Sequence, residues 1–250
     1  MKDKTISITI ISIFLSHFSY AQSSSQDSTL YKQDKLYKSL TIPTILIGYG
    51  LIGIESDGIQ SINLEIREEV DEHIKKKTSI DDFTQYVPIV SVYGLNAFGI
   101  KGKNNFKERS IILLTASLIM STTVFGVKEL TKIERPDGST SNSFPSGHTA
   151  NAFMGAEFLW QEYKDVSIWY GVSGYIVAAG TGIFRVYNNR HWLSDVVAGA
   201  GVGILSTKIA YLLVPKMKKN NWKKKSQVTG TLMPYYNGIS YGIGMNLSIK

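Results

Sequence analysis

Three short clusters hold the residues that could do chemistry. The first runs from Lys128 to Arg135-Pro136. The second reads Ser143-Phe144-Pro145-Ser146-Gly147-His148-Thr149-Ala150. The third runs from Arg185 through Arg190-His191 to Asp195. These residue types suit a phosphate. Lys128, Arg135 and Arg185 are cations that can neutralise non-bridging oxygens, and arginine does so with a two-pronged fork. Ser146 and Gly147 offer a hydroxyl and backbone N–H groups at a predicted helix start, where the helix dipole favours an anion. Gly147 also lets the backbone approach closely. His191 stands four residues before Asp195, so on a helix the two share a face. A carboxylate there can hold the proton of one imidazole nitrogen and aim the other at phosphorus. His148 is then left to protonate the leaving oxygen. Three cations and a helix N-terminus meet the developing charge, so this chemistry calls for no metal and no other cofactor.

The elements that must position these residues are helices. Apolar segments cover roughly 41–54, 84–100, 110–127, 147–161, 166–187 and 192–214, lengths that suit helices rather than strands. Lys128 and Arg135 are expected just beyond the end of the 110–127 helix. Ser146, Gly147 and His148 open the next helix, Arg185 closes the 166–187 helix, and His191 opens the last. In an up-and-down bundle these termini share one end. Between the first two segments lies a charged stretch, Glu55 to Asp82. Its Ile59, Ile62, Ile66, Val70 and Ile74 recur every three or four residues, as in an amphipathic surface helix. Ala198, Gly199, Ala200, Gly201 and Gly203 make a small-residue face suited to close helix packing. Lys132 and Arg190 read as rim charges, Trp192 as a packing residue of the last helix, and His73 as solvated. At the C-terminus Ile239, Tyr241, Ile243, Met245, Leu247 and Ile249 alternate with small or polar residues, the period of a β-strand. Asn237-Gly238 predicts a hairpin turn back to Val228–Tyr236, and Pro234 confines that partner to an edge. The expected fold is all-α, a helical bundle with a short C-terminal β-hairpin.

With the clusters in view, the chain resembles the type-2 phosphatidic acid phosphatase family, which shares its site with the vanadium-dependent haloperoxidases. The family pattern is Lys, six residues, Arg-Pro; then Pro-Ser-Gly-His; then Ser-Arg, five residues, His, three residues, Asp. This sequence matches at Lys128, Arg135, Pro136, Pro145, Ser146, Gly147, His148, Arg185, His191 and Asp195. It departs at Phe184, where the family has Ser, and in a short gap from Pro136 to Pro145. Three ordered clusters with the right internal spacing are a specific signal where one would be weak. The resemblance covers roughly residues 84–214. It implies a phosphohistidine at His191, with His148 as the acid. Lys128, Arg135, Ser146, Gly147 and Arg185 would hold the phosphate alongside His148.

Composition narrows the setting. Of 250 residues, 43% are hydrophobic and 19% charged, too apolar for a disordered chain. Cys is absent and His numbers four, which excludes a disulfide framework and thiolate metal sites. Most of the net charge of +7 comes from Lys216, Lys218, Lys219, Lys223, Lys224 and Lys225. That is a local cluster, suited to solvent or lipid headgroups, and nucleic acid is not an expected partner. Residues 1–21 read as a secretory signal: Lys2 and Lys4, an apolar run from Ile6 to Phe18, then Ser19-Tyr20-Ala21 before Gln22. Export to the cell envelope follows. Residues 22–83 form a lead-in with a short apolar helix and the charged helix, residues 84–214 the catalytic bundle, and residues 215–250 the Lys-rich segment and hairpin.

A spanning helix needs about 20 residues. If the 41–54 segment stays out of the bilayer, five spans remain. The catalytic end then faces outward and the lysine groups lie inside, in keeping with the positive-inside tendency. The competing arrangement is a soluble exported bundle, and the mean hydropathy of −0.03 is low for a polytopic membrane protein. The expected function is a metal-independent phosphatase acting on a phosphate mono- or diphosphate ester. A phosphorylated lipid is the expected substrate and a small phosphate ester the alternative, the latter for a soluble periplasmic acid phosphatase with the same site. A vanadate-dependent haloperoxidase and a catalytically silent envelope protein are further alternatives. Oligomeric state has no signal in the sequence.

Overall fold

The computed structural model describes residues 28–74, 77–221, 228–236 and 241–249. The predicted signal, the Asn237-Gly238 turn and Lys223, Lys224 and Lys225 fall outside these. The helices are α1 (Ser28–Ile52), α2 (Asp57–His73), α3 (Ile80–Thr84), α4 (Val87–Ala97), α5 (Phe106–Thr131), α6 (Gly147–Tyr163), α7 (Ile168–Tyr187) and α8 (Leu193–Asn221). Strands β1 (Val228–Tyr236) and β2 (Tyr241–Ile249) pair antiparallel, Val228 opposite Ile249 and Tyr236 opposite Tyr241. The chain divides into two compact units at Ile42/Pro43. In the first, residues 28–42 are the helical start of α1, where Thr41 Oγ1 donates to the Tyr37 carbonyl at 3.0 Å. The second holds the bundle.

Helix α6 is the bundle's axis, packed most extensively against α7 and α8, while α5 lies along α8. The core joins Ile112, Ala116, Met120 and Val124 of α5 to Ala150, Met154, Phe158 and Leu159 of α6 and Val202 and Ala210 of α8. These recur at helical spacing, so each helix presents one apolar stripe to its neighbours. The small residues of α8 allow the closest approach. A Cβ on Gly199 would stand 2.5 Å from the Ser146 carbonyl oxygen, and one on Gly201 would stand 2.7 Å from that of Pro43. Any larger side chain at Gly199 would push α8 off the start of α6.

Helix ends are set by local chemistry. Asn105 caps α5 by accepting the Glu108 N–H at 2.9 Å. Lys132 ends α5 in the left-handed region at φ 49°. Ser146 is the N-cap of α6 and Ser167 that of α7. The far end of the bundle is tied by buried charge. Glu162 accepts from Asn104 Nδ2 at 2.6 Å and from Tyr211 Oη at 2.5 Å, and Arg109 stands 3.8 Å away.

Several boundaries differ from expectation. The charged stretch also holds a second helix: the amphipathic helix expected from Ile59 to Ile74 is α2, which ends at His73, and the separate α3 carries Asp81 and Asp82. Its apolar period stops at Ile74, so no stripe continues the helix. Helix α5 is longer than its apolar run, because charged ends can leave the core while the helix continues. Lys128 therefore sits on its last turn rather than beyond it. Five spans are not evident either. Among the described residues two helices are long and apolar enough to cross a membrane, Phe106–Thr131 and Leu193–Pro215, or three if a bent pair counts as one span. Helices α4 and α6 are too short, and the Gly, Ser and Thr residues within α7, together with Arg185, lower its hydropathy. On α5, Leu114, Leu118 and Phe125 are exposed, the last at 67%, as a lipid-facing surface would be.

Candidate active site

The three clusters meet at one end of the bundle. Beyond Lys132 the chain forms a tight loop. The Arg135 N–H donates to the Thr140 carbonyl at 3.0 Å and the Ser143 N–H to the Ile133 carbonyl at 2.8 Å. Lys128 Nζ, from the last turn of α5, donates to the carbonyls of Asn142 and Ser143. The loop then delivers Ser146, whose Oγ lies 2.9 Å from Thr149 Oγ1 and whose N–H donates to the Asp195 carbonyl at 3.0 Å. That backbone bond joins the second cluster to the third.

His191 is buried and precedes α8 by two residues, so it does not open the helix as expected. It still lies beside Asp195, because the carboxylate on the first turn folds back. Asp195 Oδ2 accepts the Trp192 N–H at 2.9 Å and the Ser143 hydroxyl at 2.5 Å, and lies 3.6 Å from His191 Nδ1. Ser143 Oγ is 3.4 Å from the same nitrogen. Nδ1 is therefore turned to Ser143 and Asp195, and Nε2 is the nitrogen left for a substrate. Burial pulls the imidazole down from 6.5 to about 4, against the pull of Asp195 and with the push of Lys128 and Arg185. At neutral pH the ring is uncharged, the form that has a lone pair to give.

The cations crowd together. Lys128, Arg135 and Arg185 lie within electrostatic reach of one another, and Arg135 also feels Arg190. Arg135 Nε and Arg185 Nε are buried donors with no acceptor among the described residues. Buried donors are ordinarily satisfied; these two are free to take an anion, while Arg109 Nη1, at the far end of the bundle, is a third such donor among the described residues. Arg190 instead pairs with Asp137 at 3.1 Å, and Lys132 is exposed. Phe184, at the family's Ser position, is half-buried with its ring edge-on to Tyr187.

Four neighbours were not assigned from the sequence. Ser143 lies in the second cluster, where its residue type alone assigns it no part. Asp81, Asp82 and Asn188 carry no motif, and the two acids looked like members of a solvated charged stretch. Asp81 Oδ2 takes Arg185 Nη1 at 2.5 Å, and its Oδ1 accepts Asn188 Nδ2 at 3.1 Å. Asp82 Oδ1 lies 2.9 Å from His148 Nε2. Beside the site is a cavity of about 270 Å³, with Ile54, Leu64, Ile133, Trp192 and Asp195 among its lining. Among the described residues no group of three or more His, Asp or Glu could hold a metal ion.

The model of the PAP2 superfamily matches residues 100–219, a stretch that includes all three clusters. This stretch is similar to the PAP2 superfamily. The lipid A 1-phosphatase of Porphyromonas gingivalis is 37% identical over 171 residues, which are 66% of this chain and 38% of that protein. The bacitracin transport permease protein BcrC of Bacillus licheniformis is 34% identical over 76 residues, 30% of this chain and 36% of that protein. The chain thus spans less than two fifths of the length of these two relatives. Among solved structures, Aquifex aeolicus LpxE is 23% identical with a TM-score of 0.46, over 60% of this chain and 95% of that one. The transmembrane PAP2-type phosphatidylglycerolphosphate phosphatase of Bacillus subtilis is 20% identical with a TM-score of 0.47, over 72% of this chain and 98% of that one.

Proposed function

We propose that this chain is a membrane-associated, metal-independent phosphatase that removes phosphate from a lipid through a phosphohistidine at His191. The observation that carries the reading is the pair of buried Nε–H donors on Arg135 and Arg185 that have no acceptor among the described residues, two cations within electrostatic reach of one another, with Arg185 also within reach of His191, whose Nδ1 is turned to Asp195. A tetrahedral dianion satisfies both donors and brings phosphorus to Nε2. His191 Nε2 attacks, the bond from phosphorus to the leaving oxygen breaks, and His148 gives that oxygen its proton. Lys128, Arg135 and Arg185 meet the charge on the equatorial oxygens, with Ser146 and Gly147 at the α6 N-terminus. Water then attacks the phosphohistidine, its proton passes to His148, and orthophosphate leaves.

A lipid substrate is supported by two features. Helices α5 and α8 can cross a bilayer and end and begin, respectively, at the site. The largely apolar walls of the adjoining cavity suit part of a lipid. Likeness to a lipid A 1-phosphatase puts a glycosyl 1-phosphate of that kind first among candidates, ahead of phosphatidate, phosphatidylglycerophosphate and polyprenyl pyrophosphate. The site faces the periplasm in this reading. The C-terminal hairpin carries no part of it.

The test is orthophosphate release by the detergent-purified chain from this panel of lipids, with p-nitrophenyl phosphate as the soluble comparison and EDTA present. Wild type is expected to release phosphate from at least one lipid, to be inhibited by vanadate, and to form a base-stable, acid-labile phosphoprotein from 32P-labelled substrate. His191→Ala is expected to abolish both release and labelling. Full turnover by that variant would end the mechanism. Faster turnover of the soluble ester than of every lipid would favour the broad-specificity acid phosphatase.

A further inference from the structure

Helix α3 brings two carboxylates to the mouth of the site, and they are held differently. Asp81 is buried at 1% exposure and clamped between Arg185 and Asn188. Asn188 also accepts the Thr78 N–H at 3.0 Å and donates to the Thr78 carbonyl at 2.7 Å. These bonds dock α3 and its lead-in onto the C-terminus of α7. They thereby aim the next side chain, Asp82. Its Oδ1 lies 2.9 Å from His148 Nε2 and 3.9 Å from Arg185 Nη1, and the side chain is 54% exposed.

The charges around His148 give that contact a purpose. The groups facing it are Arg185 from α7 and Asp81 and Asp82 from α3. Burial and Arg185 both oppose its imidazolium, whereas a general acid must hold its proton until the leaving oxygen takes it. Asp82 pulls the other way. Its bond to Nε2 also leaves Nδ1 as the nitrogen that can face substrate. Asp195 does the same for His191, with the roles of the two ring nitrogens exchanged.

We propose that Asp82 is the positioning residue of His148: its carboxylate accepts the Nε2 proton, fixes the ring, and keeps a second proton on Nδ1 for the leaving oxygen. The inference rests on the phosphatase reading of the site. During phosphoryl transfer the His191 Nε2–phosphorus bond forms, the phosphorus–oxygen bond breaks, and the Nδ1 proton moves to the departing oxygen. During hydrolysis the water proton returns to Nδ1.

The test has two arms, on detergent-purified wild type, Asp82→Asn, Asp82→Glu and His148→Ala. In the first, ring-13C histidine is titrated by NMR, with the His148 signal assigned by its loss in His148→Ala. Asp82→Asn is expected to lower the apparent pKa of His148 by about one unit, and Asp82→Glu to restore part of it. An unmoved pKa overturns the inference whether or not the protein turns over any ester. In the second arm, kcat and KM are measured for an alkyl phosphate lipid and for p-nitrophenyl phosphate, whose leaving group hardly needs an acid. Asp82→Asn is expected to lower kcat for the alkyl ester by about 10- to 100-fold at unchanged KM, to spare the aryl ester, and to move the alkaline limb to lower pH. A raised kcat, or a loss confined to KM, would make Asp82 a gate or a binding group and overturn the proposal. If wild type releases no phosphate while the His148 titration still moves, the pairing stands and the phosphatase reading fails.

Discussion

Burial and neighbouring cations set the protonation of both imidazoles of the site, and the expected pH dependence follows from that. Burial, Lys128 and Arg185 push His191 down to about 4, and burial and Arg185 push His148 below its ordinary 6.5. The nucleophile must be neutral, so activity is lost as pH falls through about 4. The acid must be protonated, so activity is lost as pH rises through the lowered pKa of His148. The expected kcat/KM profile of the free enzyme is therefore a bell lying wholly on the acid side of neutrality; a plateau extending through pH 8 would contradict these assignments. The same shifts act on stability. Both histidines take protons in the unfolded chain at a higher pH than in the folded one. Their contribution is thus complete above about 6.5 and declines as pH falls toward 4. Thermal unfolding in micelles should show a midpoint that falls across this window, less steeply in His191→Asn. Asp195→Asn removes the carboxylate charge that faces Ser143, Trp192 and His191, and should cost about 10²- to 10⁴-fold in kcat with little change in KM. Ser143→Ala, which leaves the Trp192 and His191 contacts, should cost less.

Single helices turn these residues into a site, and one glycine on α8 decides how closely two of them meet. A Cβ at Gly199 would press on the Ser146 carbonyl, whereas Gly180 on α7 has nothing within 4 Å. Gly199→Ala should therefore destabilise by about 1–3 kcal/mol and shift the start of α6, lowering kcat as well. Gly180→Ala should be neutral or stabilising by up to about 1 kcal/mol, because it only relieves helix-interior glycine. Melting midpoints and turnover of the two variants check this, and equal effects would refute the packing argument. The small-residue run at 198–203 was legible in the sequence because period and residue size are local properties. So were the helix at 147, from its Ser-Gly start, and the three clusters, from internal spacing. The separate α3 was not, because an acid-rich segment with no apolar period gives no helix signal. For the same reason nothing marked Asp81 and Asp82. Their partners, Arg185 and His148, lie more than sixty positions away, and the docking of α3 on α7 by Asn188 and by the Thr84–Thr181 hydroxyl contact brings them together.

At the scale of the whole molecule the question is what surrounds the bundle. Helix α5 has a mean hydropathy of 1.9 over its most apolar window, yet only 22% of that window is buried inside the protein. An apolar surface of that size in water would drive association; against acyl chains it costs nothing. Helix α8, with 56% of its window buried, is the more central of the two. With Lys128 on the last turn of α5 and Asp195 on the first turn of α8, a bilayer crossed by both helices puts the site at one membrane face. A lipid phosphate could then reach it without its chains leaving the bilayer. This predicts that the full chain stays with membranes through high salt and carbonate washing and is released by detergent. Leu118→Lys with Phe125→Lys, two substitutions on the exposed face of α5, should reduce membrane insertion, because a charge near the bilayer centre costs about 2.5–3.5 kcal/mol per residue. The same pair would improve the behaviour of a water-soluble bundle. Recovery of active wild type in the wash, together with a more soluble double variant, would therefore assign the apolar face of α5 to a protein partner or a second copy.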